Sequence, residues 1–210
     1  MHPLTPERPA VKPVVVPDVD AQLVTLRRLR GRVPVPQLVQ AADGGTSIGT
    51  VRGVAAQQLL DDGRAGDVFR ACGVLLRRLH GLAVPDVAEH LSGGGRALVH
   101  GDFGLHNVLM NPTTLEITGI LRWEWARRGD GVEDLAWFEW IVRGYCEPHL
   151  GALDDFFAAY RGDIPAWTIR QAAMLGGCRE RLNFHQRTEP DGAGVARWKR
   201  RLVTTATWSE

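Results

Sequence analysis

The chain has 210 residues, of which 44% are hydrophobic, and a formal net charge of +1. This length fits one domain of ordinary size or two small lobes, and the balanced charge excludes the basic surface typical of nucleic-acid-binding proteins. No segment is apolar for long enough to cross a membrane, and the three cysteines are scattered without metal-ligand spacing. We therefore expect a cytoplasmic protein with no disulfides, no nucleic-acid partner and no membrane partner.

The first quarter of the chain predicts a small β-containing unit. Residues 1–17 carry five prolines and exclude a long helix. Apolar residues three or four apart then predict a short helix over 18–30. Prolines favour an extended backbone over 33–40, and a turn at 41–46 leads to a returning strand over 47–54.

The rest of the chain predicts a mainly helical unit with a short β-containing centre. A helical apolar face begins near Gly66, and a Gly- and Pro-rich loop follows at 81–96. "ALVHGD", "NVLMN" and "EITGILRWEWA" predict short strands. Further helices are predicted over 132–145, 149–161, 165–186 and 193–206.

Residues 100–107, "HGDFGLHN", contain the pattern H-x-D-x-x-x-x-N. Phosphoryl transfer needs a carboxylate beside the attacking hydroxyl and oxygen ligands for Mg²⁺. A loop with Asp102 and, five residues later, Asn107 can supply both from one turn. Three specified positions recur by chance, so the pattern alone also fits an ordinary hydrogen-bonded loop.

Three neighbouring segments add to this pattern. "LLRRLHGL" precedes the loop, and "GILRWEWA" and "RRGDGVEDLAW" follow it. Together they resemble the aminoglycoside phosphotransferase and choline-kinase-like family, in order and spacing. The resemblance covers residues 66–143 well and 18–60 loosely. It makes the letters "DFG" at 102–104 part of the catalytic loop and not the metal-binding DFG of protein kinases.

The resemblance implies a role for five residues. Asp102 takes the position of the catalytic carboxylate beside the acceptor hydroxyl, and Asn107 takes that of a metal ligand. His100 is the structural histidine at the start of the loop. Asp134 matches the acidic residue that braces the loop through backbone N–H groups. Asp130 matches the Asp of a G-D-P motif, with Gly131 where proline is usual.

The second metal ligand of the family is missing from this sequence. Alignment of "GILRWEWA" with the family's G-V-I-D-W-E-x-A places Arg122 where the metal-binding Asp should be. Arginine is always protonated and has no acceptor atom. At about 4 Å and an effective dielectric near 20, each unit-charge pair is worth about 4 kcal/mol, so Arg122 should weaken Mg²⁺ binding by orders of magnitude.

Two alternatives would preserve function at this position. Arg122 could neutralise ATP phosphates directly, as arginines do in phosphate sites. Glu124, two residues further along a predicted strand and so on the same face, could offer a carboxylate to the metal.

The nucleotide-binding half is also short, with no room for the family's glycine-rich hairpin. Lys12 could take the position of the strand lysine that contacts ATP, although a tail residue fits its context equally well. Gln22 stands where the family's helix Glu is expected.

Two further groups have ordinary structural interpretations. The charges of "RERLNFHQR", 179–187, indicate a solvated helix face, although they would lie near the acceptor region. The tryptophans at positions 123, 125, 137 and 140 favour core packing over a ligand stack.

We therefore expect an α+β, protein-kinase-like fold with an abbreviated nucleotide lobe at 11–54, a hinge at 55–63 and a helical lobe at 64–210. The implied ancestral activity is ATP-dependent phosphorylation of a small-molecule hydroxyl with Mg²⁺, impaired or lost in this chain, as in a pseudokinase. The alternatives are an active phosphotransferase with a rebuilt metal site or a gene start further upstream, and a non-catalytic interaction domain. The motifs identify neither the acceptor nor the oligomeric state.

Overall fold

The structure, a computed structural model, describes residues 19–40, 46–61 and 63–210. Seven α-helices and seven strands follow one another in these ranges. In chain order they are α1 (Val19–Leu29), β1 (Leu38–Gln40), β2 (Thr46–Ile48), β3 (Val54–Ala55), α2 (Ala65–His80), α3 (Val84–Val87), β4 (Ala97–Val99), β5 (Val108–Met110), β6 (Ile117–Ile120), β7 (Arg127–Gly129), α4 (Val132–Tyr145), α5 (Leu153–Tyr160), α6 (Trp167–Thr188) and α7 (Ala193–Ala206).

The part before α2 is small and contains the predicted helix and hairpin. Helix α1 agrees with the helix predicted over 18–30. Strands β1 and β2 pair antiparallel, with Leu38 opposite Ile48. The strand predicted over 47–54 is interrupted, since β2 ends at Ile48 and β3 begins at Val54. Residues 41–45 of the turn predicted over 41–46 and the proline-rich 1–17 lie outside the described residues.

Two small sheets form the centre of the protein. Strands β3, β5 and β6 form one sheet in that order, and β4 pairs with β7 in the other. The loop at 100–107 connects β4 of one sheet to β5 of the other. The strand predicted for "EITGILRWEWA" is wrong in its second half. It ends at Ile120, and Trp123–Trp125 form a short 3₁₀ helix after a left-handed Arg122, φ 67°.

Helix α4 is buried on two opposite faces, and most of its residues are therefore apolar. One face, with Leu135, Phe138 and Val142, joins a large core that includes residues of α1, α2 and α5. The opposite face, with Trp137 and Trp140, joins a smaller core together with α6 and α7. The helices predicted after residue 131 are confirmed, except that residues 147–152 form a separate 3₁₀ helix before α5.

The described residues are mixed α+β, as predicted. None of their helices combines the length and the apolar character that a membrane span requires. The three cysteines are buried and free. The predicted boundaries of lobes and hinge stay predictions.

Candidate functional site

The 100–107 loop begins with a backbone turn that requires glycine. Gly101 has φ 76°, in the left-handed region, and a Cβ atom there would lie 2.4 Å from the carbonyl oxygen of Trp125. Glycine avoids both the strain and the clash. This turn places the side chain of Asp102 at the edge of an open cavity, described below.

Asp134 fixes the start of this loop. Its carboxylate, fully buried, accepts backbone N–H bonds from His100 and Gly101, both at 2.8 Å. It also contacts Nε2 of His80 at 3.1 Å, and Nδ1 of His80 contacts the Tyr160 hydroxyl. Burial alone would raise the pKa of Asp134, but His80 and the other donors outweigh it and lower the pKa. The first turn of α4 thus holds the loop from inside the protein.

His100 connects the loop to the segment that carries Arg122. Its Nδ1 accepts the N–H of Asp102 at 3.2 Å, and its Nε2 lies 2.9 Å from the carbonyl oxygen of Leu121. One neutral tautomer satisfies both contacts, and burial lowers the pKa of His100 in agreement with a neutral ring. The N–H of Leu121 also donates to the carbonyl oxygen of Asn107 at 2.8 Å. The backbone around Arg122 is therefore firmly positioned relative to the loop.

Asp102 and Asn107 lie side by side, as their spacing predicts. Nδ2 of Asn107 donates to the carbonyl oxygen and to Oδ2 of Asp102, both at 2.8 Å. Asn107 is buried, whereas the side chain of Asp102 is 21% exposed. With Nδ2 engaged, Oδ1 of Asn107 is the atom left to accept a hydrogen bond or to ligate a metal.

Arg181 of α6 pairs with Asp102, a contact that the sequence interpretation missed. Its Nη2 donates to Oδ1 of Asp102 at 2.9 Å and to the carbonyl oxygen of Gly101 at 2.7 Å. The guanidinium is buried and lies 3.6 Å from the ring centre of Trp137. One feature of the sequence could have indicated that Arg181 is buried. Met174, Cys178 and Arg181 are spaced so that they lie on one face of a helix, and that face is buried.

Both oxygens of Asp102 are therefore occupied. Trp137 Nε1–H donates to Oδ1 at 3.0 Å, and Nε2 of His106 lies 3.7 Å from Oδ2. Burial alone would raise the pKa of Asp102, but His106 and Arg181 outweigh it and hold the pKa well below its ordinary range. These contacts stabilise the anionic form of Asp102.

The side chain of Arg122 is exposed and lines the same cavity as Asp102. No hydrogen bond or ion pair with another described residue holds it. Glu124 also lines the cavity, but the prediction that it shares a strand face with Arg122 is wrong, because Trp123–Trp125 form a 3₁₀ turn. Oε2 of Glu124 is buried and has no hydrogen-bond partner among the described residues.

The side chains at this site do not form the set of oxygen ligands that Mg²⁺ requires. Asn107 offers an amide oxygen, Asp102 is engaged by its hydrogen bonds, and Arg122, which lines the same cavity, is a cation that cannot ligate a metal. Among the described residues, no group of three or more His, Cys, Asp or Glu side chains is placed to hold a metal ion.

The remaining predicted residues lie away from the cavity or outside the described ranges. Oδ1 of Asp130 accepts the N–H of Val132 at 3.1 Å, and Oε1 of Glu133 accepts the N–H of Asp130 at 2.7 Å. This reciprocal cap stabilises the start of α4, which carries Asp134. Gln22 is buried on α1, and Lys12 is not among the described residues.

The cavity has a volume of about 620 Å³ and opens beside Asp102. Residues of α4, α6, α7 and the 122–125 segment line it, including Trp137, Trp140 and Trp198. Trp137 and Trp140 are packed in the smaller core, as predicted, and their remaining surface also faces the cavity. A concave site of this size suits a small-molecule ligand.

Comparison with known proteins gives a family match and a common fold. The model of the phosphotransferase enzyme family matches residues 84–173, a range that contains Asp102, Asn107, Arg122 and Asp134. No curated protein matches the chain in a sequence comparison.

Three solved structures illustrate the structural similarity. A thermostable mutant of aminoglycoside phosphotransferase APH(4)-Ia, in a ternary complex with ADP and hygromycin B, has a TM-score of 0.63 at 14% identity, covering 89% of this chain and 83% of its own. The GDP complex of aminoglycoside 2'-phosphotransferase-IIIa has a TM-score of 0.62 at 15% identity, covering 88% and 80%. A choline/ethanolamine kinase family protein from Mesorhizobium loti has a TM-score of 0.59 at 15% identity, covering 89% and 76%.

The kinase-like fold and the resemblance seen in the sequence motifs are therefore confirmed: residues 84–173 match the phosphotransferase enzyme family, and the chain has the fold of aminoglycoside phosphotransferases and choline/ethanolamine kinase-like proteins.

Proposed function

We propose that this protein is a small-molecule-binding relative of the aminoglycoside phosphotransferases in which Mg²⁺-dependent phosphoryl transfer from ATP is impaired. The observation that carries this proposal is Arg122. It stands on a well-fixed backbone and lines the cavity, and the sequence motif assigns its position to an anionic metal ligand.

The electrostatic cost of this replacement is large. Mg²⁺ prefers oxygen ligands in a tight octahedron and gives up its water reluctantly. Replacing a carboxylate by a guanidinium removes an attraction and adds a repulsion. Each such pair at about 4 Å and an effective dielectric near 20 is worth about 4 kcal/mol per unit charge, before screening by solvent.

The state of Asp102 also supports impaired transfer. A base that accepts a proton from an alcohol needs a free oxygen and a proton affinity suited to the task. Asp102 accepts hydrogen bonds from Arg181, Trp137 and Asn107, which stabilise its anionic form. Oδ2 accepts only one hydrogen bond, from Asn107, so it can still orient a ligand hydroxyl by accepting a second one.

Nucleotide remains a candidate ligand. The complexes of ADP and GDP with proteins of this fold make a nucleotide a candidate ligand of this chain as well. Arg122, unpaired among the described residues, would donate hydrogen bonds to phosphate oxygens. The contact of Lys12 with ATP stays a prediction, because Lys12 lies outside the described residues.

A second candidate is an active small-molecule phosphotransferase with a rebuilt site. The observation that favours it is the loop itself, where Asp102, Asn107 and Asp134 retain their mutual hydrogen bonds. In that case Arg122 would supply the positive charge that the metal otherwise brings, and Glu124 would supply a carboxylate.

Calorimetric titration of the wild-type protein with ATP, in Mg²⁺ and in EDTA, separates the two candidates. Impaired metal binding predicts weak ATP binding whose affinity changes less than about threefold with Mg²⁺. Tight ATP binding that depends on Mg²⁺, together with transfer of the γ-phosphate to an alcohol, would reject the proposal in favour of the active enzyme.

A further inference from the structure

The cavity beside Asp102 has an aromatic wall. The rings of Trp137 and Trp140 stack with centroids 4.5 Å apart and planes 9° from parallel. Trp198 of α7 lies against both, with ring centroids 6.2 and 5.7 Å away. The three tryptophans are only 4–6% exposed, so the surface that they leave to the cavity is mainly ring edge, which favours edge-to-face contact with an aromatic ligand.

The cation-binding face of this wall is already occupied by the protein. The guanidinium of Arg201 lies 4.5 Å from the ring centre of Trp198, 5.3 Å from that of Trp140 and 5.2 Å from that of Tyr145. On the loop side, Arg181 covers Trp137. An aromatic cage that binds a quaternary ammonium must leave these faces open for the ligand. A cationic ligand would therefore have to displace Arg201.

The charges lining the cavity are predominantly positive. The arginines at positions 122, 181, 197 and 201 line it together with the carboxylates of Asp102 and Glu124. Arg181 is neutralised by Asp102, whereas no described carboxylate pairs with Arg197 or Arg201. Burial lowers the pKa of Arg201, as expected for a desolvated cation without a counter-ion. A bound anion would supply the missing charge.

Three buried polar atoms of cavity-lining residues also lack a partner. The indole N–H of Trp198, Nδ1 of His185 and Oε2 of Glu124 make no hydrogen bond with any other described residue, and all three residues line the cavity. Buried polar groups are normally paired, so a ligand that carries both an acceptor and a donor would complement this lining. Trp198 needs an acceptor, and Glu124 needs a donor such as a hydroxyl.

We propose that this cavity binds a planar, hydroxyl-bearing carboxylate, with the carboxylate near Arg201 and Arg197 and the ring against the tryptophan wall. This inference rests on the proposed function only in taking the cavity as the ligand site of the protein. A ligand of this kind differs from a polycation, such as the hygromycin B bound by the APH(4)-Ia mutant. The positive charges of a polycation would be repelled by the three unpaired arginines of the cavity.

Isothermal titration with three matched probes tests this inference. p-Coumarate and p-coumaramide share a planar hydroxyphenyl-propenoyl frame and differ in charge, whereas tyramine carries a positive end on a saturated chain, so the first pair isolates the effect of charge. We expect p-coumarate to bind about tenfold more tightly than tyramine, and p-coumaramide to lie between them. Equal or tighter binding of tyramine or of hygromycin B would overturn the inference, as would the absence of binding by all the probes.

Substitutions test whether Arg201 and Arg197 cause the preference for p-coumarate over p-coumaramide. Arg201→Gln should remove most of the advantage of p-coumarate over p-coumaramide and change the affinity for p-coumaramide by less than about twofold. Arg200→Gln is the matched control, since Arg200 is exposed and does not line the cavity. Arg197→Gln, at an exposed side chain, provides a second variant if Arg201→Gln fails to fold. An unchanged preference in the folded Arg201 and Arg197 variants would overturn the inference.

The probe titrations can fail or succeed independently of the ATP titrations that test the proposed function. The probe titrations contain no nucleotide and no Mg²⁺, so an active phosphotransferase could still show the preference for p-coumarate. Conversely, loss of the preference leaves the effect of Arg122 on metal binding untouched.

Discussion

Arg181 and Asp102 form an ion pair of 2.9 Å that connects α6 to the 100–107 loop. The guanidinium is buried against Trp137 and also holds the carbonyl oxygen of Gly101. The residue at the catalytic position of the family pattern is thus part of a structural contact between two elements far apart in the sequence. The contact has consequences for stability as well as for chemistry.

Replacement of Arg181 by Met should destabilise the fold. It leaves the partly buried Asp102 anion without its main counter-charge, and breaking such a pair from one side costs about 2–4 kcal/mol. Urea unfolding at neutral pH measures this loss. Arg179→Met is the matched control, because Arg179 is exposed on the same helix and should change the free energy of unfolding by less than about 0.5 kcal/mol. Equal losses in the two variants would contradict the structural role of the pair.

Asp134 should make stability dependent on pH in the acid range. Its pKa in the folded protein is held below the ordinary 3.8, so its contribution is complete above that value and is lost as the pH falls toward the folded pKa. Asp134→Asn should therefore lose about 2–3 kcal/mol at neutral pH, and the difference from wild type should shrink below about pH 4.

Unfolding by urea at a series of pH values from neutral to acid tests this dependence. Asp154→Asn provides the control, since Asp154 is exposed in the first turn of α5. A difference between Asp134→Asn and wild type that stays constant down to the lowest pH would show that the charge of Asp134 does not carry the effect.

Replacing Gly131, just before α4, and Gly144, near its end, by alanine should change the free energy of unfolding in opposite directions. A Cβ atom at Gly131 would lie 2.9 Å from Nδ1 of His80 and 3.1 Å from the hydroxyl of Tyr160, so Gly131→Ala should destabilise by about 1–3 kcal/mol. A Cβ atom at Gly144, inside the helix, would meet nothing within 4 Å, and Gly144→Ala should stabilise by about 0.5–1 kcal/mol. Thermal unfolding of both variants measures the two shifts. Shifts of the same sign would contradict the packing described here.

The helices were predictable because their apolar periodicity is strong. In α2, for example, Phe69, Cys72 and Leu76 are buried at the spacing that indicated a helix. The short strands were predictable in place but not in extent. The strand before Arg122 stops early because the backbone turns left-handed there, a conformation that an arginine in an apolar and aromatic stretch does not reveal.

The loop of the candidate site was predictable from its motif, whereas its environment was not. The spacing of Asp102 and Asn107 anticipated their proximity, because the five-residue separation closes within one loop. Arg181 lies 79 positions from Asp102, and its neighbours in sequence are charged, so composition favoured a solvated helix face. Contacts between distant elements depend on tertiary packing, which a single sequence does not record.

The measurement that tests the central claim most directly is the effect of Mg²⁺ on ATP affinity in Arg122→Asp compared with wild type. If Arg122 is what disables the metal site, the variant should bind ATP at least about tenfold more tightly in Mg²⁺ than in EDTA, whereas wild type should show little difference. Arg96→Asp carries the same charge change at an exposed site outside the cavity and should behave as wild type. Strong Mg²⁺ dependence already present in wild type, or none in Arg122→Asp, would contradict the account.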